Sequence, residues 1–200
     1  MTARNKATLN RLGRQLAVFR HVLPSLELKR RQLSAEVASA RAGLIAVGRE
    51  LEGAVETAGA RLPMVANEQI LLSGLLTLRA LRLAEDHHMG LALPRIEGVD
   101  WAAAPYSRLA KPHWVDPLIA ELRAIGERRL QHQVQQERIR LLEAGLARTI
   151  QRINVFGKLL IPQAERDIRR IRTTLADAER DAIARAKIAK ARRVVVEDVR

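Results

Sequence analysis

The sequence predicts a mainly α-helical protein: a long antiparallel two-helix coiled coil formed by the N- and C-terminal helices, with a small helical or short β-hairpin insert between them. Three observations predict it. Each flank carries apolar residues at alternating spacings of three and four, the period of a left-handed coiled coil. The middle of the chain holds five of the seven prolines and three of the five aromatic residues. Finally, the chain is 48% hydrophobic but only 2% aromatic. Such a composition suits a narrow aliphatic seam better than a broad core. The expected division is residues 1–60 for the N-terminal coiled-coil helix, 61–117 for an insert or head, and 118–200 for the C-terminal coiled-coil helix.

The first stripe runs Leu9, Leu12, Leu16, Phe19, Leu23, Leu26, Arg30, Leu33, Val37, Ala40, Leu44, Val47 and Leu51. Arg30 is its one non-apolar position. Pro24 removes a backbone donor inside this run and crowds the preceding turn, so a bend is expected there with the stripe kept in phase.

The insert opens on Ile70-Leu-Leu-Ser-Gly-Leu-Leu-Thr-Leu78 and continues through Ala80, Leu81 and Leu83. In Gly90-Leu-Ala-Leu-Pro-Arg-Ile-Glu-Gly98, apolar Leu91, Leu93 and the following Val99 flank a proline, which suits a short edge strand or hairpin arm. Residues 105–117, with Tyr106, Trp114 and three prolines, read as a loop. A helix can start after Asp116, with Pro117 in its first position.

The second stripe is Leu142, Leu146, Ile150, Ile153, Gly157, Leu160, Ala164, Ile168, Ile171, Leu175, Ala178 and Ala182. Two successive steps of four occur at 142–146–150 and at 160–164–168. They are stutters that locally unwind a supercoil. Pro162 predicts a second bend. The expected seam is therefore Leu9, Leu12, Leu16 and Leu33 against Ile153, Leu160, Ile168, Ile171 and Leu175.

Charge is uneven. The formal net charge is +13, with a pI near 11.3. The central third is balanced, while both flanks are basic. Such a chain favours anionic partners: nucleic acid, acidic lipid or an acidic protein cavity. The basic cluster includes Lys29-Arg30-Arg31, Arg166, Arg169, Arg170, Arg172, Arg180, Arg185, Lys187, Lys190, Arg192 and Arg193. Glu165, Asp167, Asp177, Glu179 and Asp181 interrupt it, and no interleaved aromatics offer stacking platforms for bases.

With no cysteine, disulfides, thiolate zinc sites and thiol nucleophiles are excluded. No window of about 18 residues is free of charge, so no spanning helix and no membrane insertion are expected. The N-terminus, broken by Arg11, Arg14 and Arg20, lacks the apolar core of a signal peptide.

Gly43-Leu-Ile-Ala-Val-Gly48 has the glycine spacing of a phosphate loop. Arg49-Glu50 stands where that loop needs Lys and Ser or Thr, and the segment lies on the heptad stripe, so it is read as helix. His21, His87, His88, His113 and His132 are read as surface residues. Adjacent His87 and His88 would point about 100° apart on a helix and could not share a metal. No catalytic constellation is legible, and no cofactor or metal is expected.

The segment Arg152-Ile-Asn-Val-Phe-Gly-Lys-Leu-Leu-Ile-Pro162-Gln-Ala-Glu-Arg-Asp-Ile168-Arg-Arg-Ile171 resembles the Arg-Val-Asn-Ala-Leu, Ile-Pro and heptad pattern of the D subunits of V-type ATP synthases, the central rotor shafts. Leu175-Ala-Asp-Ala-Glu179-Arg180 and Lys187-Ile-Ala-Lys190 continue the likeness. So do Leu9-Asn-Arg-Leu12, Leu16, Leu26, Lys29-Arg-Arg-Gln-Leu33 and the insert's Met89-Gly-Leu-Ala-Leu-Pro94-Arg-Ile96. Pro24 and the stretch from Trp101 to Trp114 depart from that pattern.

The resemblance implies a non-catalytic shaft that carries torque between a membrane ion-translocating ring and a hexamer of catalytic and regulatory subunits. It implies three kinds of partner: the hexamer subunits, the small F subunit of the rotor and a membrane-ring adaptor subunit. The implied location is the cytoplasmic side of the membrane, in the peripheral part of the complex. Arg166, Arg169, Arg170, Arg180, Arg185, Lys187 and Lys190 are the expected hexamer contacts, and Pro24 and Pro162 the expected shaft bends. The alternative is a coiled-coil adaptor that binds nucleic acid or an acidic membrane surface.

Overall fold

A computed structural model describes residues 5–66, 74–105 and 112–197, and only the backbone beyond residue 190. The chain is mainly helical, with one two-stranded antiparallel hairpin. Helix α1 spans Lys6–Arg61, strand β1 Leu76–His88, strand β2 Leu91–Ala103, helix α2 Val115–Asn154 and helix α3 Ile161–Glu197. A π-helical turn, Val155–Leu160, joins α2 to α3. The expected residues Ile70 to Ser73, Tyr106 and the rest of 106–111, and the side chains of Arg192 and Arg193, lie outside the described parts.

Asn5 starts α1 by accepting a hydrogen bond from the Thr8 backbone N–H at 2.8 Å, which satisfies one of the donors exposed at a helix start. The helix continues through Pro24 without interruption. It stops at Arg61 because Leu62 precedes Pro63 and is thereby disfavoured in helical geometry.

Chain contacts divide the molecule into two units, Met1–Leu28 with Thr149–Arg200, and Lys29–Arg148. In the first, Arg20 pairs with Glu165 at 2.6 Å and Lys6 with Glu179 at 3.6 Å. The partner number falls as the α1 number rises, so the α1 and α3 segments of this unit run antiparallel. Phe19 meets Phe156 edge to face, ring centroids 5.5 Å apart. Ala164, Ile168 and Ile171 are buried, and Leu9, Leu12, Leu16, Ile153, Leu160 and Leu175 are partly buried.

In the second unit, Leu33, Val37, Leu93 and Leu142 form a core with Met89, Leu91 and Leu146 around it. A separate core joins Leu62, Leu75, Trp114, Val115, Leu118 and Ile119. Arg41 pairs with Glu143 at 2.5 Å and Arg61 with Glu121 at 2.8 Å, again in descending order. Strand β2 lies on α2, where Arg138 donates to the Pro94 carbonyl at 3.0 Å.

The hairpin is longer than the short arm expected around residues 90–98. Each strand has thirteen residues, and the apolar run through Ala80, Leu81 and Leu83 is its first strand. The connecting turn is Met89-Gly90, with φ of 51° and 73°. Two positive φ values in succession match the twist of a two-residue hairpin turn, and Gly90 adopts its value without steric cost. Register shifts interrupt the ladder between Leu78 and Ala80 and between Arg82 and Leu83. His87 and His88 therefore sit on a strand, where neighbours point to opposite faces.

The second stripe also needs correction. Ile150 is 40% exposed, whereas Thr149 is buried. The covered face passes through Leu142, Gly145, Thr149 and Ile153, so the two successive steps of four fall at 145–149–153 and not at 142–146–150. The second step pattern, Leu160, Ala164 and Ile168, is covered throughout and adjoins the π turn. Ala178 and Ala182 are exposed, because no described part of the chain lies over them.

Candidate partner-binding surface

Helices expose the sequence-predicted basic residues. Arg166, Arg169, Arg170, Arg180, Arg185, Lys187 and Lys190 all stand on α3 with exposed side chains. Spacings of three and four along a helix set neighbours one turn apart, so these residues cover more than one face of α3.

Some of these charges are already engaged. Arg180 meets Asp177 at 3.5 Å, Arg169 Nε donates to the Glu165 carbonyl at 3.4 Å, and Arg185 Nε donates to the Asp181 carbonyl at 3.2 Å. Arg166, Arg170, Lys187 and Lys190 have no acidic partner within ion-pair distance among the described residues. All are solvated, and exposed pairs of this kind contribute at most about 1 kcal/mol each. They are therefore easily exchanged for pairs with another molecule.

From residue 176 to residue 190 every side chain is exposed. Ile183 and Ile188 are 58% and 55% exposed. In this unit the last α1 contact on α3 is the Lys6–Glu179 pair, so the length of α3 beyond it has no cover within the unit among the described residues. Helices in proteins are stabilised mainly through a packed face, and this stretch has none within the unit among the described residues.

The sequence's other candidates resolve as structure. Gly43 and Gly48 lie within α1 and face α2, where an added Cβ would come 3.5 Å from Gln135 Nε2 and 3.9 Å from His132 Nε2. These are ordinary van der Waals distances inside a helix, with no strand before it. His88 Nε2 stands 3.7 Å from Glu36 Oε2. Among the described residues no group of three His, Cys, Asp or Glu side chains is placed to hold a metal. No described helix is long and apolar enough to cross a membrane.

The sequence matches the family of ATP synthase D subunits over residues 8–191, which reaches from the first turn of α1 into the last part of α3. The chain belongs to the ATP synthase D-subunit family.

Relatives named as the D subunit of V-type ATP synthase match over most of their length. The D subunit of Borreliella burgdorferi is 27% identical over 188 residues, 92% of this chain and 93% of the relative. That of Chlamydia felis is 29% identical over 178 residues, covering 88% and 86%. That of Chlamydia pneumoniae is 27% identical over 195 residues, covering 95% and 93%. The resemblance carried by residues 152–171 is thus shared by most of the sequence.

Two features escaped the sequence reading: the exposure of Val155 and Leu159, and the seating of Trp101 on Gly126. The first had a signal. Residues 149–164 contain no acidic side chain and two basic ones, Arg152 and Lys158. The second had none, because a glycine in a helix does not announce which ring will cover it.

Proposed function

We propose that this chain is the non-catalytic central-stalk subunit, the rotor shaft, of a rotary V-type ATPase or ATP synthase. It transmits torque between the membrane ion-translocating ring and the catalytic hexamer, on the cytoplasmic side of the membrane. Residues 1–60 and 118–200 act as the two strands of an antiparallel coiled coil, and 61–117 as the head. The seam is Leu9, Leu12, Leu16 and Leu33 against Ile153, Leu160, Ile168, Ile171 and Leu175, and the shaft bends at Pro24 and Pro162. The observation that carries the reading is the uncovered length of α3 from residue 176 to 190, which after Asp181 carries Arg185, Lys187 and Lys190 and no acid, on a chain of the D-subunit family.

Arg166, Arg169, Arg170, Arg180, Arg185, Lys187 and Lys190 meet acidic residues of the catalytic and regulatory subunits. Exposed ion pairs are weak enough to break and re-form as the shaft turns. The head end engages the membrane-ring adaptor subunit, and the small F subunit of the rotor binds along the shaft.

Reversal of Arg166, Arg169 and Arg170 to Glu in the reconstituted complex should weaken assembly or ion-coupled ATP hydrolysis. Unchanged coupled activity would remove these residues from the interface. Purification with salt-removable nucleic acid in place of ATPase subunits would favour the adaptor reading instead.

A further inference from the structure

The π turn leaves two apolar side chains in solvent. Val155 and Leu159 are 40% and 53% exposed, although both lie in the segment that joins two helices lined by buried aliphatic residues. In a π turn the backbone bonds reach five residues back, and side chains four apart remain neighbours on one face, as they are in an α-helix. The Ile161 N–H bonded to the Phe156 carbonyl marks that register. The turn is fastened from one side, where Phe156 packs on Phe19. No residue of the turn is buried, and a Cβ added at Gly157 would meet nothing within 4 Å.

Charge states what fits there. The 149–164 segment is free of acids, and exposed Arg152 and Lys158 flank the two apolar side chains, with exposed Arg166 just beyond. On α1 of the same unit, Lys6, Arg11, Arg14 and Arg20 outnumber Glu27. A basic partner would be repelled, and a purely polar one would leave Val155 and Leu159 in water.

We infer that the π turn is a docking patch for a partner protein's amphipathic helix: apolar residues of that helix cover Val155 and Leu159, and a rim of Asp and Glu meets Arg152, Lys158 and Arg166. This rests on the chain working inside a multi-subunit assembly. It is separate from the basic tail, because its energy comes from a small desolvated apolar centre, with the charges fixing orientation.

The test uses the assembly purified on the tagged chain, with a photo-crosslinking amino acid at Leu159 or, separately, at Ile188. Irradiation at position 159 should join the chain to a helix of another subunit that has acidic residues flanking an apolar stripe. In addition, Val155→Ser with Leu159→Ser should weaken binding of that crosslinked subunit about tenfold. Circular dichroism should not change, since both side chains are exposed. A crosslink to a basic or non-helical segment, unaltered binding by the double variant, or no crosslink at 159 would each overturn the patch. Crosslinking at 188 alone would overturn it while leaving the assembly reading intact, and silence at both positions would remove both.

Discussion

Trp101 on β2 sets the outer edge of its indole against α2 at Gly126: a Cβ at that glycine would sit 2.6 Å from the ring's Cη2 and 2.8 Å from its Cζ2. A rigid indole cannot yield as a chain end can, so the glycine is what lets strand and helix touch. Gly126→Ala should lower stability by about 1–2 kcal/mol, because overpacking of about 1–3 kcal/mol outweighs the gain in helix propensity. At Gly53, on the exposed side of α1, nothing lies within 4 Å. Gly53→Ala should therefore raise stability by about 0.5–1 kcal/mol. Urea unfolding of the two variants gives opposite signs if Trp101 is seated as described.

The second core, in residues 29–148, makes a graded prediction. Leu142 is 1% exposed among Leu33, Val37 and Leu93, so Leu142→Ala should cost about 2–5 kcal/mol. Arg41, one side chain of an exposed pair with Glu143, should cost less than about 1 kcal/mol when replaced by Gln. Equal losses in thermal unfolding would mean that helix pairing here depends on charge and not on burial.

Along α3 the same substitution should change meaning with position. Ile171 is buried and Ile188 is 55% exposed. Ile171→Ala should cost about 2–5 kcal/mol in the isolated chain, and Ile188→Ala no more than about 0.5 kcal/mol. If Ile188→Ala instead destabilised the isolated chain by as much, the end of α3 would have a cover within the chain.

Arg140 grips Glu137 one turn earlier on α2, with Nε donating to Oε2 at 2.7 Å and Nη2 to Oε1 at 2.5 Å. That hydrogen bonding first, and the guanidinium charge after it, hold the Glu137 carboxyl below its ordinary value against an opposing effect of burial. A depressed carboxylate contributes its stabilisation above the unfolded-state value and loses it as pH falls through the folded one. NMR titration should find the Glu137 midpoint moving up in Arg140→Gln. A midpoint that stays put would show the pair to be open in solution.

The first helix was legible nearly residue by residue. Every apolar position from Leu9 to Leu51 in its stripe is at least partly covered, and Arg30, the one break, is exposed. Period alone suffices there, because one face is covered along the whole stripe. The hairpin was only half legible. The outer part of β1 reads Arg-Leu-Ala-Glu-Asp-His-His, and its pairing with β2 is fixed by a turn and by packing on α2, neither of which leaves a strong local pattern. At Ile150 the periodic reading chose the wrong neighbour, since Thr149 is neither apolar nor a typical seam residue yet takes the covered place. The basic residues of α3 were legible as a set of positions. What they bind was not, because an exposed charge specifies a sign and not a partner.

The two register shifts in the hairpin carry a consequence for solubility. A two-stranded sheet has two open edges, and a regular thirteen-residue edge is a template on which another chain can add a strand and begin to aggregate. The irregularities at Leu78/Ala80 and Arg82/Leu83 break that template into short lengths, and exposed Arg79, Arg82, Glu85 and Asp86 put charge along it. On the other strand Pro94 offers no N–H at all. The hairpin can therefore stay exposed, with Leu78 and Leu83 in solvent, without recruiting copies of itself.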